Sequence, residues 1–249
     1  MWGCKLMPLE LSSLTRSWGI AMLDFGMRIA VVILLALGTA APAQAECRQR
    51  PEPEVDWQRC NKQMLQLQSS DLTDANLQGA YFTGTSLSES KLAGADLSGS
   101  ELVRTSFQGA DLSGANFEKS LAHRANFTGA VLHNARLVKA EFVRVDFVDS
   151  DLSNADMSKG EFIRNNFREA NLSGANLAGS NLSRAVFQGA NLAGASFQGA
   201  YLHWARFEDT DLTSARDLTQ AQMEMSCGDD TTKLPGELVR PETWPCAPD

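Results

Sequence analysis

Residues 91–120 read KLAGADLSGSELVRTSFQGADLSGANFEKS, with a large apolar residue on every fifth position: Leu92, Leu97, Leu102, Phe107, Leu112 and Phe117. Followed outward in both directions, the frame holds from position 72 to position 212. Of the 29 centres in that stretch, 28 are Leu, Phe or Met, and Ala122 alone departs. Two residues ahead of each centre stands a small residue, as at Ser70, Ala75, Ala80, Thr85 and Ala95; Val145 and Asn165 are the exceptions. A period of five matches neither the 3.6 of a helix nor the 2.0 of a plain strand. A short tandem repeat of this kind is the signature of a solenoid.

Taking every fourth centre sorts the residue types. Leu72, Leu92, Leu112 and every further step of twenty to Leu212 are Leu, whereas Phe107, Phe127, Phe147, Phe167, Phe187 and Phe207 are all Phe. Like residues separating at a step of twenty places i against i+20, so four pentapeptides make one turn of a square coil. Each column is then an inward ladder. Coils stacked at strand spacing rise ~4.8 Å each, which makes just over seven coils a rod ~35 Å long. Stacked Phe rings add roughly 0.5–1.5 kcal/mol per pair beyond area burial. Backbone groups pair between coils, and the two end coils carry the open edges that need cover.

The repeat unit is Ala-(Asp/Asn)-(Leu/Phe)-x-x, as in Ala75-Asn76-Leu77, Ala95-Asp96-Leu97, Ala110-Asp111-Leu112, Ala175-Asn176-Leu177 and Ala190-Asn191-Leu192. In these residues the chain resembles the pentapeptide-repeat family, over about 60% of its length. The resemblance implies an all-β fold, a right-handed quadrilateral β-helix, and assigns no function, since most members have none.

The ends suggest an exported protein. Met27-Arg28, the apolar run from Ile29 to Leu37 and the small-x-small triplet Ala43-Gln44-Ala45 have the parts of a secretory signal. The apolar run is too short for a bilayer, which takes ~20 residues, so no membrane span is expected after cleavage. Residues 1–26 fit poorly ahead of a signal, which makes Met27 the expected start and Glu46 the expected mature N-terminus. Glu46 ahead of Cys47 also argues against a lipoprotein. Cleavage leaves Cys47, Cys60, Cys227 and Cys246, none of them in the repeats. In an exported chain an even count reads as disulfides. One pair lies at each end of a rod ~35 Å long, and bridged Cα atoms lie roughly 4.4–6.8 Å apart. The compatible bridges are therefore Cys47–Cys60 and Cys227–Cys246, each worth about 3 kcal/mol in the chain-entropy model.

Three regions follow: an N-terminal cap over 46–69, the solenoid over 70–216, and a C-terminal cap over 217–249. Leu67 fits the repeat frame, but Leu65 is too large for a small-residue slot. Asp217 stands where an apolar centre is due. Thr219 and Gln222 form a capping box, with Leu218 and Met223 as a staple and Gly228 as the stop, so a helix is expected over 219–227. Trp244 is expected to pack back on the last coil. Within the coil, Asn165 beside Val145 calls for a wider corner and a strained or internally bonded amide, with Asn165→Ala neutral or stabilising. Ala122 predicts a void between Leu102 and Phe142 that Leu121 could turn inward to fill, with Ala122→Leu stabilising.

The surface holds no catalytic constellation, phosphate loop or metal-ligand spacing, so neither an enzyme nor a cofactor is expected. His123, His133 and His203 each follow a centre and point outward. The Asp and Asn residues ahead of the centres read as ladders and turns rather than calcium sites. One column differs from the rest: Arg104, Arg124, Arg144, Arg164 and Arg184, then Trp204, with Val103, Val143 and Ile163 alternating beside it. Arginines one coil apart repel by about 0.9 kcal/mol even at the dielectric of water. Glu101, Glu141 and Glu161 on the same face, with Asp146 round the corner, could neutralise them. Alternatively the column forms a binding face for a protein or an anionic envelope component, since arginine forks match carboxylate and phosphate.

The chain carries 30 acidic and 22 basic residues, a formal net charge of −8, which argues against a nucleic-acid binder. The family it resembles includes DNA mimics that protect gyrase, but residues 71–216 hold 17 acidic against 13 basic side chains. That is too even for an acidic mimic. The leading expectation is a non-enzymatic periplasmic or secreted solenoid with a rigid binding face. A purely structural spacer is the alternative, and a topoisomerase-directed mimic ranks third.

Overall fold

The computed structural model describes residues 47–246; the expected leader, its cleavage site and Glu46 lie outside the described residues. The chain turns once per pentapeptide for a local reason. At most centres the carbonyl accepts from the amide three residues on, as in Ala75 N–H to Leu72 O (3.1 Å) and Ala80 N–H to Leu77 O (3.0 Å). The residue two past the centre lies at positive φ, for example Gly79 at +64° and Arg104 at +54°. This is a type II turn, whose third residue needs the left-handed region that glycine enters without steric cost.

Parallel bridges then join residue i to residue i+20, from Asp56↔Asn76 to Ser196↔Arg216. A typical pentapeptide gives three amides to this pairing, shown by Asn76 to Val55 O (2.9 Å), Leu77 to Asp96 O (2.8 Å) and Gly79 to Ser98 O (2.9 Å). The inward residue of every repeat from Leu72 to Leu212 is fully buried. The Phe column stacks nearly face to face, with centroids 5.0 Å apart for Phe147–Phe167 and 5.1 Å apart for Phe167–Phe187 and Phe187–Phe207.

The segment expected to be a separate N-terminal cap is wound as coil. Asp56, Asn61 and Gln66 already bridge to residues twenty further on. Trp57 fills an inward slot and Cys60 a small-residue slot, both buried. The frame is obscured because Lys62 occupies the next inward position. Lys62 Nζ sits 3.4 Å from the centroid of the Trp57 ring and donates to Cys47 O at 2.8 Å. Its burial lowers its pKa from the usual lysine value. The Cys47–Cys60 disulfide (Cα–Cα 5.3 Å) holds this strap over the first coil, and Leu65 stays exposed outside its slot.

At the other end, α1 (Gln220–Glu224) carries the capping box at Thr219 and Gln222. Gln222 does more than cap its own helix. Its Nε2 donates to Phe197 O and Ala200 O, both at 2.9 Å, while its Oε1 accepts from Thr219 N–H at 2.8 Å. Ala200 O, which would otherwise face another coil, is thereby satisfied, and Phe197 O, which already accepts from Ala200 N–H (3.0 Å), gains a second donor. Met223 is fully buried beneath the helix. The helix is shorter than the expected 219–227: it ends at Met225, in ordinary right-handed geometry (φ −87°). Gly228 is therefore not its stop. A Cβ at Gly228 would lie 2.4 Å from the Trp244 ring, so glycine is required there to let Trp244 pack. Trp244 donates to Ser226 O at 2.8 Å, and Cys227–Cys246 (Cα–Cα 5.5 Å) fixes the tail. Beyond the helix the chain rejoins the coil through Arg206↔Cys227 and Asp211↔Lys233. The Thr213 hydroxyl, then the Thr213 amide and Lys233, hold Asp211 at a pKa of about 2.

One corner is opened. After Ala122 and Phe142 the chain stays extended, giving β1 (Leu121–His123) and β2 (Glu141–Val143), paired in parallel as Ala122↔Phe142. Val145 N–H donates not to its own turn carbonyl but to Asn165 Oδ1 at 2.8 Å. Asn165 is fully buried and its Nδ2 has no partner. The corner residue is therefore internally bonded, and its truncation would orphan a buried amide. The sequence-based expectation for Asn165→Ala is reversed: it is expected to cost about 1–3 kcal/mol.

The layer at Ala122 is also filled, though not by Leu121, which stays half-buried on the outer side. Phe142 from the next coil packs against Phe117 (6.0 Å, edge-on) and Phe127 (5.7 Å), the two aromatic residues flanking Ala122 in its own coil. Ala122→Leu is thus expected to overpack this layer and lower stability by about 1–3 kcal/mol, contrary to the expectation from sequence. Thermal melts of Ala122→Leu and Asn165→Ala against the wild type check both; a rise in Tm for either would show that the layer or the corner is not as described.

Candidate binding face

Arg104, Arg124, Arg144, Arg164 and Arg184 occupy the left-handed turn slot of one corner, at φ between +54° and +58°, and Trp204 continues the column at +59°. All six are exposed. A side chain in this slot leans toward the same slot of the next coil. A Cβ on Gly94 would lie 2.1 Å from Asp74 Oδ1, and one on Gly84 would lie 2.5 Å from Met64 Sδ. The five arginines therefore form one continuous edge. Beside them Val103, His123, Val143, Ile163 and Ser183 make a half-buried floor, and edge and floor together line an open groove of about 680 Å³.

The glutamates on this face do not form direct ion pairs with the edge. Among the described residues, no carboxylate lies within 4.0 Å of any of the five guanidinium groups. Glu101 accepts instead from the Thr83 hydroxyl (2.9 Å) and Glu161 from Asn181 Nδ2 (2.8 Å). Asp146, round the corner, accepts from Val148 N–H (3.2 Å) and Asn166 Nδ2 (3.3 Å). Among the described residues, the five guanidinium groups make no side-chain hydrogen bond or ion pair.

A second basic edge escapes a reading made one column at a time. Lys119, Lys139 and Lys159 hold the left-handed slots of the preceding corner, at φ +58°, +57° and +58°. They bound the other side of the same face. The signal lies in three six-residue strings, KSLAHR at 119–124, KAEFVR at 139–144 and KGEFIR at 159–164. Lys119 pairs with Glu118 at 3.1 Å. The corner following the arginines carries Glu89, Asp149, Glu169 and Asp209 in the same slot, so the charges are sorted by corner.

The remaining polar residues serve the scaffold. Asn116, Asn171 and Asn176 each donate to the Asp twenty residues earlier, at 3.0–3.1 Å. The same Asp and Asn oxygens accept the amide two residues on, as at Ser98, Ser153 and Ser158. His133 Nδ1 lies 2.9 Å from Ser153 Oγ, whereas His203 stacks on Tyr201 at 5.9 Å. Among the described residues, no group of His, Cys, Asp and Glu is arranged to hold a metal ion, and no helix is long and apolar enough to cross a membrane.

Two family models match the chain. Pentapeptide repeats cover 66–102, 80–118, 166–203, 175–213 and 190–224, and a pentapeptide repeat region covers 100–177. The chain belongs to the pentapeptide-repeat family, whose fold is the right-handed β-helix solenoid. QnrB1, a plasmid-mediated fluoroquinolone resistance protein, shares the fold with a TM-score of 0.56 at 19% identity, over 73% of this chain and 91% of its own. HetL, a pentapeptide repeat protein involved in heterocyst differentiation regulation from the cyanobacterium Nostoc sp. strain PCC 7120, is 25% identical over 78% of this chain and 88% of its own, with a TM-score of 0.41. No curated protein matches the sequence.

Every ladder arginine bears a Cβ in left-handed geometry beside a like charge. Twelve turn slots elsewhere hold glycine at the same φ. Arg144→Gly is therefore expected to leave the fold intact and raise stability by about 1 kcal/mol, read as a higher Tm. A drop in Tm would mean that the arginine edge serves the scaffold.

Proposed function

We propose that this protein is a non-enzymatic, exported solenoid whose arginine-edged β-face binds an anionic partner in the cell envelope. In this reading the coil has four sides and just over seven turns, as the twenty-residue step in the sequence suggests. One observation carries the proposal. Five consecutive guanidiniums on one edge make no ion pair among the described residues, in slots where glycine would be less costly. Unpaired cations retained against stability suit a binding role. The half-buried Val103, Val143 and Ile163 beside the arginines suit protein or glycan contact, next to a column that carries Glu101, Glu141 and Glu161. Export is supported by the signal-like segment at 27–45 and by a disulfide at each end, since such bonds persist in oxidising compartments. The alternative is a spacer with no ligand. A DNA-mimic role is disfavoured by an edge of the wrong sign.

A polyanion that binds the edge is expected to stabilise the fold, by about 2.7 kcal/mol at a hundredfold excess over its Kd. The gain should shrink with salt. It should vanish when Arg124, Arg144 and Arg164 are changed to Ser. A thermal-shift screen of heparin-like, acidic-glycan, phosphate and sulfate ligands at two salt concentrations reads this; no shift with any of them leaves the spacer. Intact mass of protein recovered from the periplasm checks export: the expected species begins at Glu46, and one retaining residues 1–45 would instead indicate an anchor.

A further inference from the structure

The arginine column ends on an aromatic residue, and the surface around that residue differs from the arginine groove in charge and chemistry. Trp204 holds its left-handed slot at φ +59° and is 41% exposed, with Tyr201 exposed at 47% and Met225 at 38%. The His203 ring lies parallel to Tyr201 at 5.9 Å and edge-on to Trp204 at 6.2 Å. One coil further on, the cap takes over: Trp204 N–H donates to Met225 O at 2.8 Å. The tail forms the third side, drawn in by Cys227–Cys246 and by the bond from Trp244 to Ser226 O. Coil, helix end and tail meet around a concavity of about 390 Å³, whose lining includes His203, Trp204, Glu224, Met225, Thr243 and Cys246. Small-molecule sites run from roughly 300 to 1,000 Å³ and combine apolar walls with a few polar groups.

Glu224 is the only carboxylate in this lining. It is exposed, and among the described residues no cationic side chain lies within 4.0 Å of it. An aromatic face beside an unpaired carboxylate attracts a cation through both the ring quadrupole and the charge. The remaining walls, a thioether and a disulfide sulfur, are soft and polarisable. A primary ammonium carries three N–H donors and needs acceptors for them, which a single carboxylate supplies poorly. A quaternary ammonium carries none, and its methyl groups pack on indole and thioether. The charge of the cap agrees: residues 217–246 hold six acidic and two basic side chains. Arg184 precedes Trp204 in the column, but it lines the arginine groove and not this concavity.

We infer that the concavity is a binding site for a small quaternary-ammonium compound, with its methylated nitrogen against the Trp204 ring and its charge balanced by Glu224. The site lies outside the arginine groove and does not depend on the anion-binding reading. The Cys227–Cys246 bridge holds the tail side of the site in place before the ligand arrives, which lowers the ordering cost of binding.

Calorimetric titration of the folded, disulfide-bonded protein with choline tests the inference. The comparators are 3,3-dimethylbutan-1-ol, its uncharged carbon isostere, and ethanolamine, the primary amine. Choline is expected to bind about tenfold or more tightly than either. Trp204→Leu is expected to weaken choline about fivefold to thirtyfold, and Trp204→Phe less. Glu224→Gln is expected to weaken it about threefold to fivefold. Both side chains are exposed, so the variants should fold, and melts check this. Equal binding of the isostere would reduce the site to apolar contact and overturn the inference. Equal binding of ethanolamine would leave a plain ion pair with Glu224 and overturn it too. So would unchanged affinity in Trp204→Leu, or no binding of choline at millimolar concentration. None of these outcomes bears on the arginine edge.

Discussion

The left-handed residue two past each centre is the constraint on which the molecule depends. It lets the chain turn every five residues, so that the next small residue fits the corner and the next large one points inward. Four such turns return the chain to a place where its amides meet carbonyls twenty residues away. The buried ladders, the Asp–Asn chains and the stacked Phe column follow from that return. The slot also projects its side chain sideways over the adjacent coil, away from the core. A corner column is therefore both the costliest position for a bulky residue and the place where a row of identical charges can be displayed.

Much of the scaffold was legible because each repeat states the same rule. The step of twenty, the inward residues and the disulfide pairing follow from periodicity and the reach of a disulfide. The errors came where one residue took another's place across coils. Ala122 implies a void only if each layer is considered alone; Phe142 reaches across from the next coil. Asn165 looks misplaced until its oxygen is seen on the Val145 amide. The N-terminal coil was hidden by Lys62, a charged residue in an apolar slot, which is tolerable because Trp57 lies beneath it and Cys47 O accepts from it. Gly228 looked like a helix stop, but its role is set by Trp244, sixteen residues away in sequence.

The candidate face was half legible. The arginine column emerges from the step of twenty, because its members share one position in the repeat. The lysine edge shares a different position, and its relation to the arginines appears only when the face between two corners is considered as a unit. That the glutamates turn to Thr83 and Asn181 instead of the arginines could not be read from spacing, since either partner lies within reach of a flexible side chain.

The two ends are closed by different means: a lysine and a disulfide strap at one, a helix glutamine and a tryptophan-bearing tail at the other. Between them the coils offer their neighbours the same backbone bonds, apart from the corner at Val145 and Asn165. Duplication or loss of a single twenty-residue block would preserve both terminal closures and the pairing rule throughout. It would change just one property, the number of charges in the row. The length of the displayed row can thus change by simple gene rearrangement, without having to re-evolve the fold.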